Sequence, residues 1–216
     1  MVLPDCVLLP GETLPLYIFE PRYRAMLKDV LEGARSFCVA CRRPDSLADE
    51  PEEIACLGYV TVAIKQDDGT SNLQIEGVAR VALNETSENH SRPYPYFDLR
   101  RLVSTAPPAE NLEEERNRMH ALLRNRLDAG IDAALASLVS TSGSAQELAA
   151  ARRQLENGVA ALVSEIEGEP DPGRAVDRVA ATLLCDPAHR QEVLEEVDVT
   201  KRAKLVNSIL NASCQR

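Results

Sequence analysis

Apolar residues alternate with polar ones through much of the first half of the chain and recur every three to four residues through the second. Leu14, Leu16 and Ile18 share one side of an extended segment, Val60, Val62 and Ile64 one side of another, and Leu73, Ile75, Ala79, Val81 and Leu83 hold a single phase through Gly77. A period of two sets one face of a strand against a core, so three half-buried strands are expected, with Val62 and Ile64 facing inward beside Val60. Between the second and third, Asp68-Gly69 tolerates the positive φ that closes a hairpin. Phe37 to Cys41 is apolar on both sides and predicts a covered, central strand. Pro21 presets a helical φ, and Tyr23, Met26, Leu27 and Val30 follow at helical spacing, so a short helix is expected to start there and stop at Gly33. Phe97, Leu99, Leu102 and Val103 close the sheet half, with a slip of phase across Arg100-Arg101 that predicts a bulge.

The period lengthens after a linker at 104–111. Leu112, Met119, Leu122, Leu123, Leu127, Ile131, Leu135 and Leu138 form one helical stripe, in which Gly130 predicts a kink or break. Leu148, Leu155, Val159, Leu162 and Ile166 form the next, led by the Ser144-to-Glu147 capping box. After the turn at Gly168 to Gly173 come Val176, Val179, Ala180, Leu183 and Leu184, then a helix opened by Pro187 with Val193 and Leu194. A last helix, capped by Asp198, carries Ala203, Val206, Ile209 and Leu210. The expectation is an α+β chain with a β-rich part at 1–106 and a bundle of four or five helices at 107–216.

Composition narrows the function classes. The 216 residues carry 24 basic and 34 acidic side chains, a net charge of −10 spread evenly over both halves, which argues against broad binding of nucleic acid. No apolar run approaches the ~20 residues of a membrane span. Met1 is followed by Val2-Leu3-Pro4-Asp5 with neither a basic stretch nor a long apolar run, so no secretory signal is read and a cytoplasmic location is expected. The six cysteines are then read as small buried hydrophobes rather than a disulfide framework.

Candidate chemistry is sparse. None of the ten glycines precedes a lysine and no G-x-G-x-x-G occurs, so no nucleotide cofactor is expected. His90, His120 and His189 stand far apart, and Cys38-x-x-Cys41 lacks a second pair and would point to opposite faces of a strand, so no metal site is assigned. Ser144 is better used as a helix cap than as a nucleophile. Glu76 with Arg80, and Glu20 with an arginine, read as structural ion pairs, so no catalytic residue is named and no enzymatic activity is expected.

One stretch is distinctive. Leu8-Leu9-Pro10-Gly11-Glu12-Thr13-Leu14-Pro15-Leu16-Tyr17-Ile18-Phe19-Glu20-Pro21-Arg22-Tyr23-Arg24 resembles the opening signature of the Lon protease N-terminal, or substrate-binding, domain family. Cys56 to Val60, Asp68-Gly69, Ile75 to Arg80, the Pro-Tyr segment before Phe97, Gly173 to Ala180 and Arg190 to Arg202 are similar to later parts of that family, in its order. The resemblance implies a twisted PUA-like β pseudo-barrel followed by a helical bundle, and a non-catalytic module that binds unfolded polypeptides or exposed apolar segments. The ATPase and peptidase modules of that family have no counterpart in this sequence, so an ATP-dependent protease acting in trans is a further expected partner. Leu14, Leu16, Ile18 and Phe19 are read as sheet and core. Tyr17, Tyr59, Tyr94, Tyr96 and Phe97 are the candidate contacts, because aromatic side chains supply large contact area at small entropic cost. The alternative is RNA binding, known in other PUA-like folds, along a strip of Arg42, Arg43, Arg92, Arg100 and Arg101.

Overall fold

A computed structural model of the chain describes residues 1–46, 50–85, 91–105, 110–139 and 145–212. His90 and the Ser144 end of the capping box lie outside the described residues. The elements are β1 (Val2–Leu3), β2 (Thr13–Ile18), α1 (Pro21–Glu32), β3 (Ser36–Cys41), β4 (Ile54–Lys65), β5 (Ser71–Glu85), β6 (Phe97–Arg101), α2 (Glu110–Val139), α3 (Ala145–Glu167), α4 (Pro172–Leu183), α5 (Pro187–Glu195) and α6 (Val199–Ala212). The fold is α+β, with one six-stranded sheet in the order β1-β3-β4-β5-β2 and β6 paired to β5 beyond the end of β2. All pairings are antiparallel except β1 with β3.

Two irregularities shape the sheet. The register of β4 against β5 shifts between Leu57 and Gly58, and again between Val60 and Val62. The second shift overturns one expectation: an extra residue, Thr61, reverses the side on which later residues of β4 stand, so Val60 is buried while Val62 and Ile64 face solvent. At the first shift lies Gly77, whose missing Cβ would sit 2.2 Å from the Leu9 carbonyl oxygen. That approach lets Gly77 donate to the Glu12 carbonyl and accept from the Gly11 amide, both at 2.8 Å, pinning the entry to β2. The bulge expected at Arg100-Arg101 is absent: β6 pairs in unbroken register from Glu85–Phe97 to Val81–Arg101 and ends there. Its loss of alternation comes instead from its position, with every residue after Phe97 exposed.

The chain divides into two compact units, Met1–Thr105 with Leu184–Val197, and Ala106–Leu183 with Asp198–Arg216. In the first, Leu8, Leu9, Ile18, Val39, Val60 and Ile75 are the inner core, and α1 adds Tyr23, Met26 and Leu27. Pro21 opens α1 and Gly33 closes it, the Gly33 amide donating to the Val30 carbonyl at 3.2 Å. The α5 segment, expected in the bundle, belongs with the sheet because buried cations tie it there. Arg80 donates to the Leu194 and Val193 carbonyls at 2.9 and 3.3 Å, Gln191 to the Ile54 carbonyl at 3.0 Å, and Arg190 to the Val7 carbonyl and the Glu12 carboxylate. Charged donors on the last carbonyls of a helix satisfy groups that would otherwise be buried without partners.

The second unit is formed by α2, α3, α4 and α6. Helix α2 runs through Gly130 without a break. Asp171 accepts from the Gly173 and Arg174 amides, and Asp198 from the Lys201 amide, as caps of α4 and α6. Inside, fully buried Arg202 meets Asp177 at 3.4 Å, and Asn207 donates to the Glu115 carbonyl and carboxylate at 3.1 and 2.7 Å. Among the described residues, no helix is long and apolar enough to cross a membrane.

Candidate functional site

The five aromatic candidates fall into two groups, both in the first unit. On the outer face of the sheet, β5 presents Asn72, Gln74 and Glu76, and its register sets these opposite Tyr17, Pro15 and Thr13 of β2 on one side and Ile64, Val62 and Tyr59 of β4 on the other. Strands two apart lie about 10 Å from one another, so two apolar rails flank a polar row. Tyr17 is 55% exposed and Ile64 55%, and Tyr59 and Val62 are also open. Phe19, expected in the core, is 59% exposed: β2 ends at Ile18, and the chain turns before Pro21 with the Phe19 ring stacked on Tyr17 at 5.9 Å between centroids.

Tyr94, Tyr96 and Phe97 form the second group, on the wall of a groove of about 420 Å³ between α1 and the β3, β5 and β6 strands. Tyr94 is buried, with 9% of its surface exposed, and serves as a strut. Its hydroxyl donates to Asp29 of α1 at 2.5 Å and accepts from Arg92 at 2.9 Å. Burial, and then the Asp29 carboxylate, push its phenol above the usual range. The Arg92 guanidinium lies over the Tyr94 and Tyr96 rings at 5.8 and 5.2 Å, holding the segment before β6 in place. Tyr96 and Phe97 are left as the accessible aromatic edges of the groove.

The arginines expected as a strip are differently engaged. Arg43 meets Glu53 at 3.3 Å and Glu52 at 3.9 Å, and Arg92 is taken up by Asp29 and the tyrosines. Arg42 bridges to Pro51 through the backbone. Arg100 and Arg101 are exposed on β6, with no ion pair among the described residues. Of the structural pairs expected, Glu20 meets Arg22 at 2.8 Å, while Arg80 turns inward to α5. Cys38 is pushed up to about 11 by burial, a resting thiol rather than a nucleophile. No group of three or more His, Cys, Asp or Glu among the described residues is placed to hold a metal.

The family described as the ATP-dependent protease La (LON) substrate-binding domain matches residues 1–212. The chain belongs to this family. Among the curated relatives of this chain, Lon protease of Desulfosudis oleivorans is 24% identical over 216 residues, covering 98% of this chain and 23% of the relative. Lon protease of Desulfovibrio desulfuricans is 26% identical over 210 residues, covering 95% and 21%. The chain therefore spans less than a quarter of the length of these relatives. The N-terminal domain of a Mycobacterium avium complex Lon protease superposes with a TM-score of 0.67 at 15% identity, over 98% of this chain and 96% of that one. The Lon N-terminal domain protein from Xanthomonas campestris gives 0.55 at 18% identity, over 96% and 95%. These two likenesses show the fold.

The residues missed from the sequence are Phe19, Val62, Ile64 and Leu99. Phe19 follows an alternation that ends one residue earlier, and the bulge that turns out Val62 and Ile64 depends on pairing with β5, which leaves no local mark. Leu99 alternates like a sheet residue, but among the described residues its strand pairs on one side only, which leaves it 47% exposed.

Proposed function

We propose that this Lon substrate-binding domain captures exposed apolar segments of unfolded polypeptide on the outer face of β2, β5 and β4. The observation that carries the reading is that Tyr17, Phe19, Tyr59, Val62 and Ile64 are all exposed on or beside one face. Scattered single hydrophobes on a surface are ordinary, whereas a cluster of large apolar side chains with a polar row between them marks a place where another chain is held. The rails offer contact to apolar side chains, and Asn72, Gln74 and Glu76 offer hydrogen bonds to a backbone lying between them. Each aromatic covered contributes on the order of 1–2 kcal/mol to binding. The captured chain is then handed on to an ATP-dependent protease.

A fluorescently labelled, permanently unfolded polypeptide titrated with the protein at physiological salt tests this, with the same polypeptide folded and an RNA hairpin as comparisons. Saturable binding of the unfolded chain is expected, weakened roughly 10-fold or more by joint Tyr17→Ser and Phe19→Ser substitution. Binding of the RNA alone, weakened by salt and by Arg100→Ala with Arg101→Ala, would replace this reading with the nucleic-acid one.

A further inference from the structure

Strand β6 pairs with β5 along one edge, and among the described residues no strand pairs with its other edge. An unpaired edge presents a row of backbone donors and acceptors, and proteins commonly protect such rows by covering them or making them short and charged. This one is short and carries Asp98, Arg100 and Arg101, but an apolar residue, Leu99, 47% exposed, stands at its centre. Phe97 and Leu99, two residues apart and therefore on one side of the strand, both line the groove that Met26, Val30, Phe37 and Tyr96 also line. Arg101 continues the same side two residues on. In a chain of net charge −10, the Arg100-Arg101 end of β6 is a local cationic spot, with no ion pair among the described residues.

These features fit one another. We propose that β6 receives an extended peptide segment as an added antiparallel strand, with an apolar side chain of the segment seated in the groove beside Leu99. Antiparallel pairing sets the residue two positions before that side chain opposite Arg101, so the preferred segment reads acidic, any residue, aromatic or large aliphatic. The Asp29–Tyr94–Arg92 cluster is the support that keeps the groove wall preformed. The inference rests on the polypeptide-binding reading and adds to it a second contact region, a backbone mode and a sequence preference.

The test uses short fluorescent peptides with Asp-Thr-Phe, Lys-Thr-Phe or Asp-Thr-Ala at their centre, titrated alongside the unfolded polypeptide. Asp-Thr-Phe is expected to bind, and the other two to bind roughly 5-fold or more weakly. N-methylation of alternate backbone amides in Asp-Thr-Phe is expected to abolish binding for one alternate set and to leave it within about 2-fold for the other, since only every second amide of an added strand points at β6. Arg101→Glu should reverse the preference between Asp and Lys peptides, and Leu99→Ser should weaken both; these side chains are exposed, so an unchanged circular dichroism spectrum accompanies the loss. If the unfolded polypeptide binds but the peptides do not, or if both methylated sets bind alike, the added strand is refuted and polypeptide capture stands. An RNA hairpin released by Arg101→Glu, with no peptide bound, would also overturn it. If neither unfolded polypeptide nor peptide binds, both readings fail together.

Discussion

Replacing Gly77 by alanine perturbs the backbone of the sheet that carries both proposed contact regions. The added Cβ would lie 2.2 Å from the Leu9 carbonyl oxygen, 3.0 Å from its carbon and 3.2 Å from the Cys56 sulfur. An ordinary carbon–oxygen contact is more than 3 Å, so backbone must move by about 1 Å, and overpacking of this kind costs typically 1–3 kcal/mol. The movement also strains the two 2.8 Å bonds that join Gly77 to Gly11 and Glu12, each worth about 1 kcal/mol. The lower unfolded-state entropy of alanine returns about 0.5–1 kcal/mol, leaving a net loss of roughly 2–4 kcal/mol. All five tyrosines precede residue 106 and there is no tryptophan, so near-ultraviolet signals follow the first unit while far-ultraviolet circular dichroism is weighted to the helices. In a urea titration the tyrosine transition of Gly77→Ala should move to lower denaturant. Gly130→Ala, where nothing lies within 4 Å of the new methyl, should instead raise the helical transition by about 0.5–1 kcal/mol. A Gly77→Ala protein within 0.5 kcal/mol (about the scatter of neutral surface changes) of its parent would refute the close approach and the register built on it.

Other consequences follow from burial and charge. Asp177→Ala leaves the Arg202 guanidinium buried without its carboxylate and should destabilise the helical unit by about 3–5 kcal/mol in the same titration, while a conservative Asp177→Asn costs less. For the chain beginning at Met1, the α-amino group donates to the Cys38 carbonyl at 2.6 Å, and burial lowers its pKa to about 6 from 8.0. The unfolded chain then binds more protons between those values, so stability of the first unit should rise with pH from about 6 to about 8, by at most roughly 2–3 kcal/mol, and denaturation midpoints across that range that do not rise would contradict the burial. At mildly alkaline pH, iodoacetamide should modify exposed Cys185 well before Cys38, whose burial raises its pKa to about 11, or buried Cys56; mass spectrometry of the digested protein orders the three.

Local features of the fold were legible because each is written by neighbours in sequence. Pro21 and Gly33 bound α1, Asp198 caps α6, and the change of period after residue 111 separates sheet from helices. What escaped depends on distant partners. Helix α5 has an ordinary helical pattern, and only Arg80, Arg190 and Gln191 reaching across more than a hundred residues of chain assign it to the sheet. Strand β6 reads as a slipped core strand because sequence does not reveal that, among the described residues, only β5 pairs with it. The aromatic positions were visible as residue types, but their roles divided: alternation alone turns Tyr17 outward, whereas the hydrogen bond from Tyr94 to Asp29 joins residues 65 apart and makes a strut of a candidate contact.

The most direct test of polypeptide capture is to place a photo-crosslinking amino acid at Tyr59 or Ile64 on the outer sheet face, and at exposed Lys204 on α6 as a comparison, and irradiate each protein with a labelled unfolded polypeptide. Capture on this face predicts cross-links from positions 59 and 64 that an excess of unlabelled unfolded chain removes, and background yield from position 204. Equal yields from all three positions, or cross-links from position 204 alone, would contradict it.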